Sequence, residues 1–244
     1  MKIGVVIPAF NEESSIGIVV RRVRKTLEPE LQFRVVVCDN GSQDGTAVAA
    51  ASAGGEVCTV DRRGYGAACS GGLEHLGEWP DAIVFLDGDG SSRPEEIPLL
   101  LQPIRDGEVD LVIGSRNAKA NMTAPQRWGT RLAVWLINAR WGSEYRDMGP
   151  FRAIRRESLA GLGMKDRTWG WTLEMQILAT LRNLRVREVQ AAWEPRISGK
   201  SKISGTLSGV VRAGCRILWT FLLYAPKRKR RATRPESEGP CPIN

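Results

Sequence analysis

This sequence of 244 residues has no long apolar run. A helix needs about 20 consecutive apolar residues to cross a bilayer, and the uninterrupted stretch Ile217 to Ala225 is too short. The segment before it is broken by Arg212 and Arg216, so an interfacial helix, or one packed on the domain, is expected instead. The opening "MKIGVVIPAFNEE" has too short an apolar run for a secretory leader and meets acids at once, so no signal peptide is expected. Cysteine is sparse. Cys38, Cys58, Cys69, Cys215 and Cys241 form no C-x-x-C pair, which excludes the usual zinc and disulfide frameworks and leaves reduced thiols in a cytosolic protein. The single histidine, His75, falls on a predicted helix and is read as a surface or packing residue. There is no internal repeat.

What is present suits a globular domain. Hydrophobic residues make up 42% and charged residues 25%, enough to bury a full core without staples. Net charge is +8. Much of the excess lies in "PKRKRRATR", Pro226 to Arg234. Such a block is a solvated end, a contact for an anionic membrane surface, or a nucleic-acid contact.

Short apolar runs alternate with helical patterns. "IGVVI", "FRVVVCD", "EVCTV", "AIVFL" and "DLVIGS" read as buried strands. The helices between them begin at "NEESSIGIVV", with Asn11 near its N-cap, at Ala47, after "DRRGYGAACSGG", and at "PEEIPLLLQPIRDG", where Pro103 is expected to end or kink the pattern. Strands that are apolar throughout, alternating with helices, predict an α/β fold: a mostly parallel central sheet with helices on both faces. The second half is richer in tryptophan and arginine. It predicts a helix over "TAPQRWGTRLAVWLINARW", a short strand and helix in "FRAIRRESL", a helix over "WGWTLEMQILATL", a strand in "RVREVQAAWE" and a basic loop "PRISGKSKISG".

In such a sheet, ligands bind beyond the carboxyl ends of the strands. Asp87 and Asp89, in "LDGDG", sit at one of those ends. Two carboxylates this close repel unless a cation lies between them. Oxygen-only ligands point to Mg²⁺ or Mn²⁺, which keeps water and binds substrate phosphates; the plain alternative is a solvated D-G turn. "IPAFNEE" and "CDNGSQDGT" bring acids, amides and hydroxyls to the same rim. Asp39 is assigned to a ligand base or ribose, Asp44 and Thr46 to turn chemistry and capping. "GYGAAC" nearly copies G-x-G-x-x-G but follows the third strand and lacks the last glycine. It is therefore read as close backbone packing and not as a dinucleotide fingerprint.

Taken in order, "IPAFNEE", "DNGSQDGT", "RGYGAACSGGL", "LDGDG" and "GSR" resemble the inverting family-2 glycosyltransferases of the GT-A fold. "DMGPFRAI", "WTLEMQ" and "RISGKSKISG" extend the resemblance toward polyprenyl- or dolichyl-phosphate sugar synthases of the mannose or glucose type. It implies a catalytic domain over residues 1–205, with a nucleotide-sugar half (1–116) and an acceptor half (117–205). An amphipathic helix (206–226) and a basic tail (227–244) follow. It implies a nucleoside-diphosphate sugar and a polyprenyl or dolichyl phosphate as partners, peripheral contact with an anionic cytoplasmic membrane face, and no nucleic acid.

Residue by residue, the resemblance gives Pro8, Phe10, Glu12 and Asp39 to the nucleotide. It gives Asp87 and Asp89 to the diphosphate and its Mg²⁺ or Mn²⁺, and Arg116 to the phosphates. Arg131, Arg152, Arg196 and Lys202 go to the two anionic substrates. Glu174 takes the place of a base if the acceptor is a hydroxyl, or of a loop-ordering group if it is a phosphate. This chain departs from the pattern at Asn40, at Gly90-Ser91 and at "MGPFRA". The rival readings are a glycan or other hydroxyl acceptor with Glu174 as base, a nucleotidyltransferase, and a non-catalytic nucleotide-sugar or nucleic-acid binder. Trp128, Trp135 and Trp141, near helical spacing, fit either a core or the wall of a lipid-facing groove.

Overall fold

The structure is a computed structural model. It describes residues 1–29, 32–116, 122–198 and 207–227, with the backbone alone described for 207–213. Lys202, the side chain of Arg212 and the tail beyond Lys227 lie outside the described residues.

Seven strands form one sheet in the order β3-β2-β1-β4-β6-β5-β7. They are β1 (Ile3–Ala9), β2 (Phe33–Asp39), β3 (Glu56–Thr59), β4 (Ala82–Phe85), β5 (Leu111–Arg116), β6 (Arg152–Arg155) and β7 (Val186–Ala191). All pairings are parallel except those of β6, which runs antiparallel to both neighbours, β4 and β5. The α/β expectation therefore holds. The two halves read from the sequence share this sheet, because β6 of the second lies between β4 and β5 of the first.

The helices are α1 (Glu13–Leu27), α2 (Thr46–Ser52), α3 (Tyr65–Leu76), α4 (Ile97–Arg105), α5 (Ala124–Trp141), α6 (Arg156–Leu162), α7 (Trp171–Leu181) and α8 (Leu207–Tyr224). Alternation along each strand splits the core into two layers. Ile3, Val5 and Ile7 face Ile16, Val20, Leu100 and Ile104 of α1 and α4. Val6, Val36 and Cys38 face Ala68 and Cys69 of α3, in the layer that also holds Ile137 and Ile177 of α5 and α7.

Local expectations were met with three adjustments. Pro103 stays inside α4, which runs two residues further. The N-cap of α1 is Glu12; Asn11 sits before it at φ 52°, its side-chain oxygen accepting from the Gln43 N–H at 2.9 Å. A short side chain that bonds locally tolerates that left-handed conformation. Trp141 joins the core, where its indole N–H donates to the Lys227 carbonyl at 2.9 Å, whereas Trp128 and Trp135 are 71% and 63% exposed.

Candidate active site

The carboxyl ends of β1, β2 and β4 open on one cavity of about 460 Å³. Pro8, Phe10 and Glu12 line it from the β1 end, Asp87 and Asp89 from the β4 end, and Arg196 from the segment after β7. Met148, Pro150, Trp169 and Thr172 form another side. Six of the residues singled out in the sequence thus meet at one place.

Most of the rim is held by backbone groups. Asp39 accepts from the Ser42 N–H at 2.9 Å. Asn40, the departure from two adjacent acids, acts as a clip. Its amide donates to the carbonyls of Val60 (3.1 Å) and Arg62 (2.7 Å), and its oxygen accepts from the Gly64 N–H at 2.7 Å. An aspartate there would have no donor for those two carbonyls. The Arg63 guanidinium lies over the Phe10 ring at 4.3 Å, a cation–π contact at the cavity wall.

The "GYG" stretch receives a second loop. The Gly66 N–H donates to the Thr168 carbonyl and the Ala67 N–H to the Arg167 carbonyl, at 3.0 and 2.9 Å. These are unpaired first-turn donors of α3, satisfied from outside the helix. A Cβ at Gly64 would collide with the Arg167 carbonyl, and one at Gly66 with the Asp166 carbonyl. The close-packing reading of these glycines is therefore the structural one.

Asp89 is fully engaged. Its Oδ1 accepts from the Ser91 N–H (2.8 Å) and hydroxyl (2.6 Å), and its Oδ2 pairs with Arg196 Nη1 at 2.7 Å. Arg196 Nη2 donates to Glu12 Oε1 at 2.9 Å. Asp87 is the opposite case: its buried Oδ1 makes no well-formed hydrogen bond, and the Tyr65 hydroxyl, also buried and without one, lies close enough to influence it. Burial, reinforced by the charge of Asp89, pushes the Asp87 carboxyl up to about 7. Burial likewise raises the Tyr65 phenol well above its ordinary value, with the Asp87 charge adding to it. Orphaned buried oxygens are rare and ask for a ligand. A bare carboxylate oxygen beside one already paired with a cation is a donor set that fits Mg²⁺ or Mn²⁺. Among the described residues no three histidine, cysteine or acidic side chains converge as a complete cage, so remaining ligands would come from water and diphosphate.

Arg152, Arg116, Glu174, Arg131 and Asp39 do not line this cavity. Arg152 is fully buried and does not line the cavity. Its guanidinium donates to the carbonyls of Gly149 and Thr172, bracing the floor from below. Arg116 is drawn to Asp147, with Nε and Nη2 donating at 2.8 and 2.6 Å, and stacks on Trp193; it borders a separate groove with Tyr145 and Glu188. Glu174 is 2% exposed and saturated. It accepts the N–H groups of Lys165 (3.0 Å) and Asp166 (2.7 Å) and the Tyr224 hydroxyl (2.5 Å). It therefore orders a loop, the alternative stated for it above, and is not poised as a base. Arg131 is exposed on α5 and does not line the cavity.

Sequence reasoning missed the partners that make these roles structural: Asp147, Tyr224, and Asp166 with Arg216. Asp166 Oδ2 accepts from Arg216 Nε and Nη2 at 2.9 and 2.6 Å. Together with Glu174–Tyr224 it fastens α8 to the 164–170 loop that carries Trp169 into the cavity. Arg63, Tyr65 and Trp169 were also missed; the one local signal for them was the glycine pattern beside Arg63 and Tyr65.

A mixed sheet with acids crowding the ends of β1, β2 and β4 defines a GT-A nucleotide-diphospho-sugar transferase. Residues 4–163 match the family described as Glycosyl transferase family 2, and the chain belongs to that family. It is 36% identical over 211 residues to an uncharacterized glycosyltransferase of Mycobacterium tuberculosis, covering 86% of this chain and 93% of that one. It is 28% identical to the undecaprenyl-phosphate mannosyltransferase of Micrococcus luteus, over 91% of this chain and 98% of that one. Among solved structures, glucosyl-3-phosphoglycerate synthase from M. tuberculosis, in complex with Mn²⁺, UDP-glucose and phosphoglyceric acid, superposes with a TM-score of 0.73. The match has 20% identity and spans 92% of this chain and 80% of that one.

Proposed function

We propose that this glycosyltransferase moves a hexose, mannose or glucose, from a nucleoside-diphosphate sugar to a polyprenyl or dolichyl phosphate with inversion. The observation that carries the acceptor assignment is the makeup of the wall facing the carboxylates. Met148, Pro150, Trp169 and Thr172 bring no ionisable group, and Glu174 is saturated behind them. A sugar hydroxyl needs a base there. A phosphate is already ionised at neutral pH, and an apolar wall suits its hydrocarbon chain. The similarity to a relative named for undecaprenyl phosphate supports the same reading.

Asp87 and Asp89 would hold Mg²⁺ or Mn²⁺, which when bound neutralises the departing diphosphate. Phe10, Glu12 and Asp39 bind and orient the nucleotide. Arg196 supplies positive charge at the cavity rim, and Lys202 is assigned to the acceptor phosphate. Two anions must approach one another, so these cations are an electrostatic requirement. Positioning of this kind can supply roughly 7–11 kcal/mol of a barrier.

The acceptor would be met at a membrane surface. No helix among the described residues is long and apolar enough to cross one. On α5, Trp128, Leu132 and Trp135 are exposed at one-face spacing; on α8, Leu218, Trp219, Leu222 and Leu223 are exposed. The two helices pack together, Arg127 and Arg131 lie exposed on α5, and Lys227 lies exposed just after α8. Exposed tryptophan and leucine bordered by cations fit the anionic cytoplasmic face of a membrane.

The test is a screen of nucleotide sugars with Mg²⁺ or Mn²⁺, with and without polyprenyl phosphate, reading released nucleoside diphosphate. Release that depends on the lipid phosphate is expected. Equal release onto a soluble glycan would replace this reading with the hydroxyl-acceptor one.

A further inference from the structure

The guanidinium of Arg196 stands where a metal ion would carry out its work. It bridges Asp89 Oδ2 at 2.7 Å and Glu12 Oε1 at 2.9 Å, joining the ends of β4 and β1. Its side chain is 29% exposed, whereas those of Asp89 and Glu12 are 6% and 10%. The acids are fixed, and the arginine reaches in from the open side. Its Nε is buried without a partner, so the guanidinium is only partly satisfied in this pose.

The backbone that carries it is tied down independently. The Ile197 N–H donates to the Asp89 carbonyl at 3.0 Å and the Glu194 N–H to the Ser91 carbonyl at 2.8 Å. Ser92 and Trp193 form an antiparallel bridge. The Ile197 side chain fills the space over Gly90, where a Cβ would collide with it. This segment lies as a strap across the "DGDGS" loop, so the guanidinium can leave its carboxylates by side-chain rotation alone while the strap stays in place.

Asp89 Oδ1 is held by Ser91, so Oδ2 is the oxygen left for a divalent cation. A metal ion sits roughly 2.0–2.6 Å from a carboxylate oxygen. A guanidinium nitrogen 2.7 Å from Oδ2 repels a divalent ion arriving at the same oxygen, so the two cations compete for it.

We propose that Arg196 is an exchangeable countercation. It neutralises the carboxylate rim while the site is empty, is expelled when a divalent metal and a diphosphate arrive, and is then delivered to the acceptor phosphate. This rests on the donor-site reading above and adds to it a hand-over, in which one side chain passes from the first substrate's site to the second's.

The experiment is a calorimetric titration of the full chain with Mn²⁺ alone, at fixed pH, for wild type, Arg196→Gln, Arg196→Lys and Asp89→Asn. Removing the competing cation should tighten Mn²⁺ binding at least about tenfold in Arg196→Gln. Arg196→Lys should fall between, because an ammonium can reach one carboxylate but not bridge two. It also keeps the test usable if the glutamine variant folds poorly. Asp89→Asn should abolish binding. Equal Mn²⁺ affinity in wild type and both Arg196 variants, with Asp89→Asn still abolishing it, overturns the exchange and leaves the donor site standing. Binding indifferent to Asp89→Asn overturns the donor-site reading itself.

A second arm measures binding of a short-chain prenyl phosphate with and without Mn²⁺ and inorganic pyrophosphate. Wild type should bind it at least about fivefold more tightly when both are present, and Arg196→Gln should lose that gain. An undiminished gain in Arg196→Gln overturns the hand-over.

Discussion

The two sides of the cavity use charge in opposite ways. On the β1–β2–β4 side, acids line the cavity: Asp87 keeps an oxygen with no well-formed hydrogen bond, and Glu12 and Asp89 share Arg196. On the α7–α8 side, charges are consumed internally. Arg152 holds two carbonyls, Arg216 holds Asp166, Glu174 holds two N–H groups and a phenol, and beyond the cavity Arg116 holds Asp147. Charged residues of similar prominence in the sequence thus divide into those that wait for a ligand and those that have already found a partner. On the proposed function, the first side binds and the second holds a wall in place.

The comparison breaks if a rim acid proves structural. Asp89→Asn should cut metal-dependent affinity for the nucleotide sugar at least about 100-fold, since it removes the charge opposite the proposed cation, while the melting temperature changes little. A large fall in melting temperature would move Asp89 to the other class. The reverse holds for Arg152→Met. Removing its guanidinium strands two buried carbonyls, a loss of roughly 2–4 kcal/mol of stability by denaturant titration. Donor affinity in the folded fraction should be unchanged.

Surface contact comes next in size. The paired change Trp128→Ser and Trp135→Ser should lower partition onto anionic vesicles about tenfold in a sedimentation assay. It should spare turnover of a short-chain, water-soluble acceptor. Equal binding by the variant would return these tryptophans to ordinary surface residues.

Smaller still is Tyr224→Phe, which leaves a buried Glu174 oxygen without its donor. It should cost about 1–3 kcal/mol, read as earlier thermal release of α8.

The smallest expected effect sharpens the comparison through pH. Burial alone would raise the Asp147 carboxyl, but the Arg116 guanidinium beside it overrides this and holds it below its ordinary value. A carboxylate depressed by folding adds stability that is fully present above its unfolded value of 3.8 and is lost as pH falls through the lower, folded value. Asp147→Asn should therefore destabilise the protein at pH 7, and the gap should shrink as pH falls below 3.8. A constant gap across that range would show that the pair contributes by packing and not by charge.

Legibility in the sequence follows the same division. The strands, most helix limits and the rim residues could be read because a parallel strand is apolar along its length and its next residue must emerge at the sheet's edge. That local rule was enough to bring Asp87, Asp89 and Glu12 to the cavity. The far side could not be read this way. Glu174 meets Tyr224 fifty residues on, Asp166 meets Arg216 at the same separation, and Arg152 reaches back to Gly149 and forward to Thr172. Nothing in "WTLEMQ" or "FRA" announces those partners. The insertion of β6 between β4 and β5 was equally hidden, because strand order is decided by tertiary pairing and not by pattern.

That insertion has a mechanical consequence. With Phe85 paired to Arg152 on one flank and Ile113 to Arg152 on the other, the residues just before β6 hang from the middle of the sheet like the anvil of a vice. The jaw opposite them is the short crosspiece that carries Arg196, stitched to its neighbour by a handful of bonds. The anvil is the side that cannot give, because yielding there would tear two ladders at once.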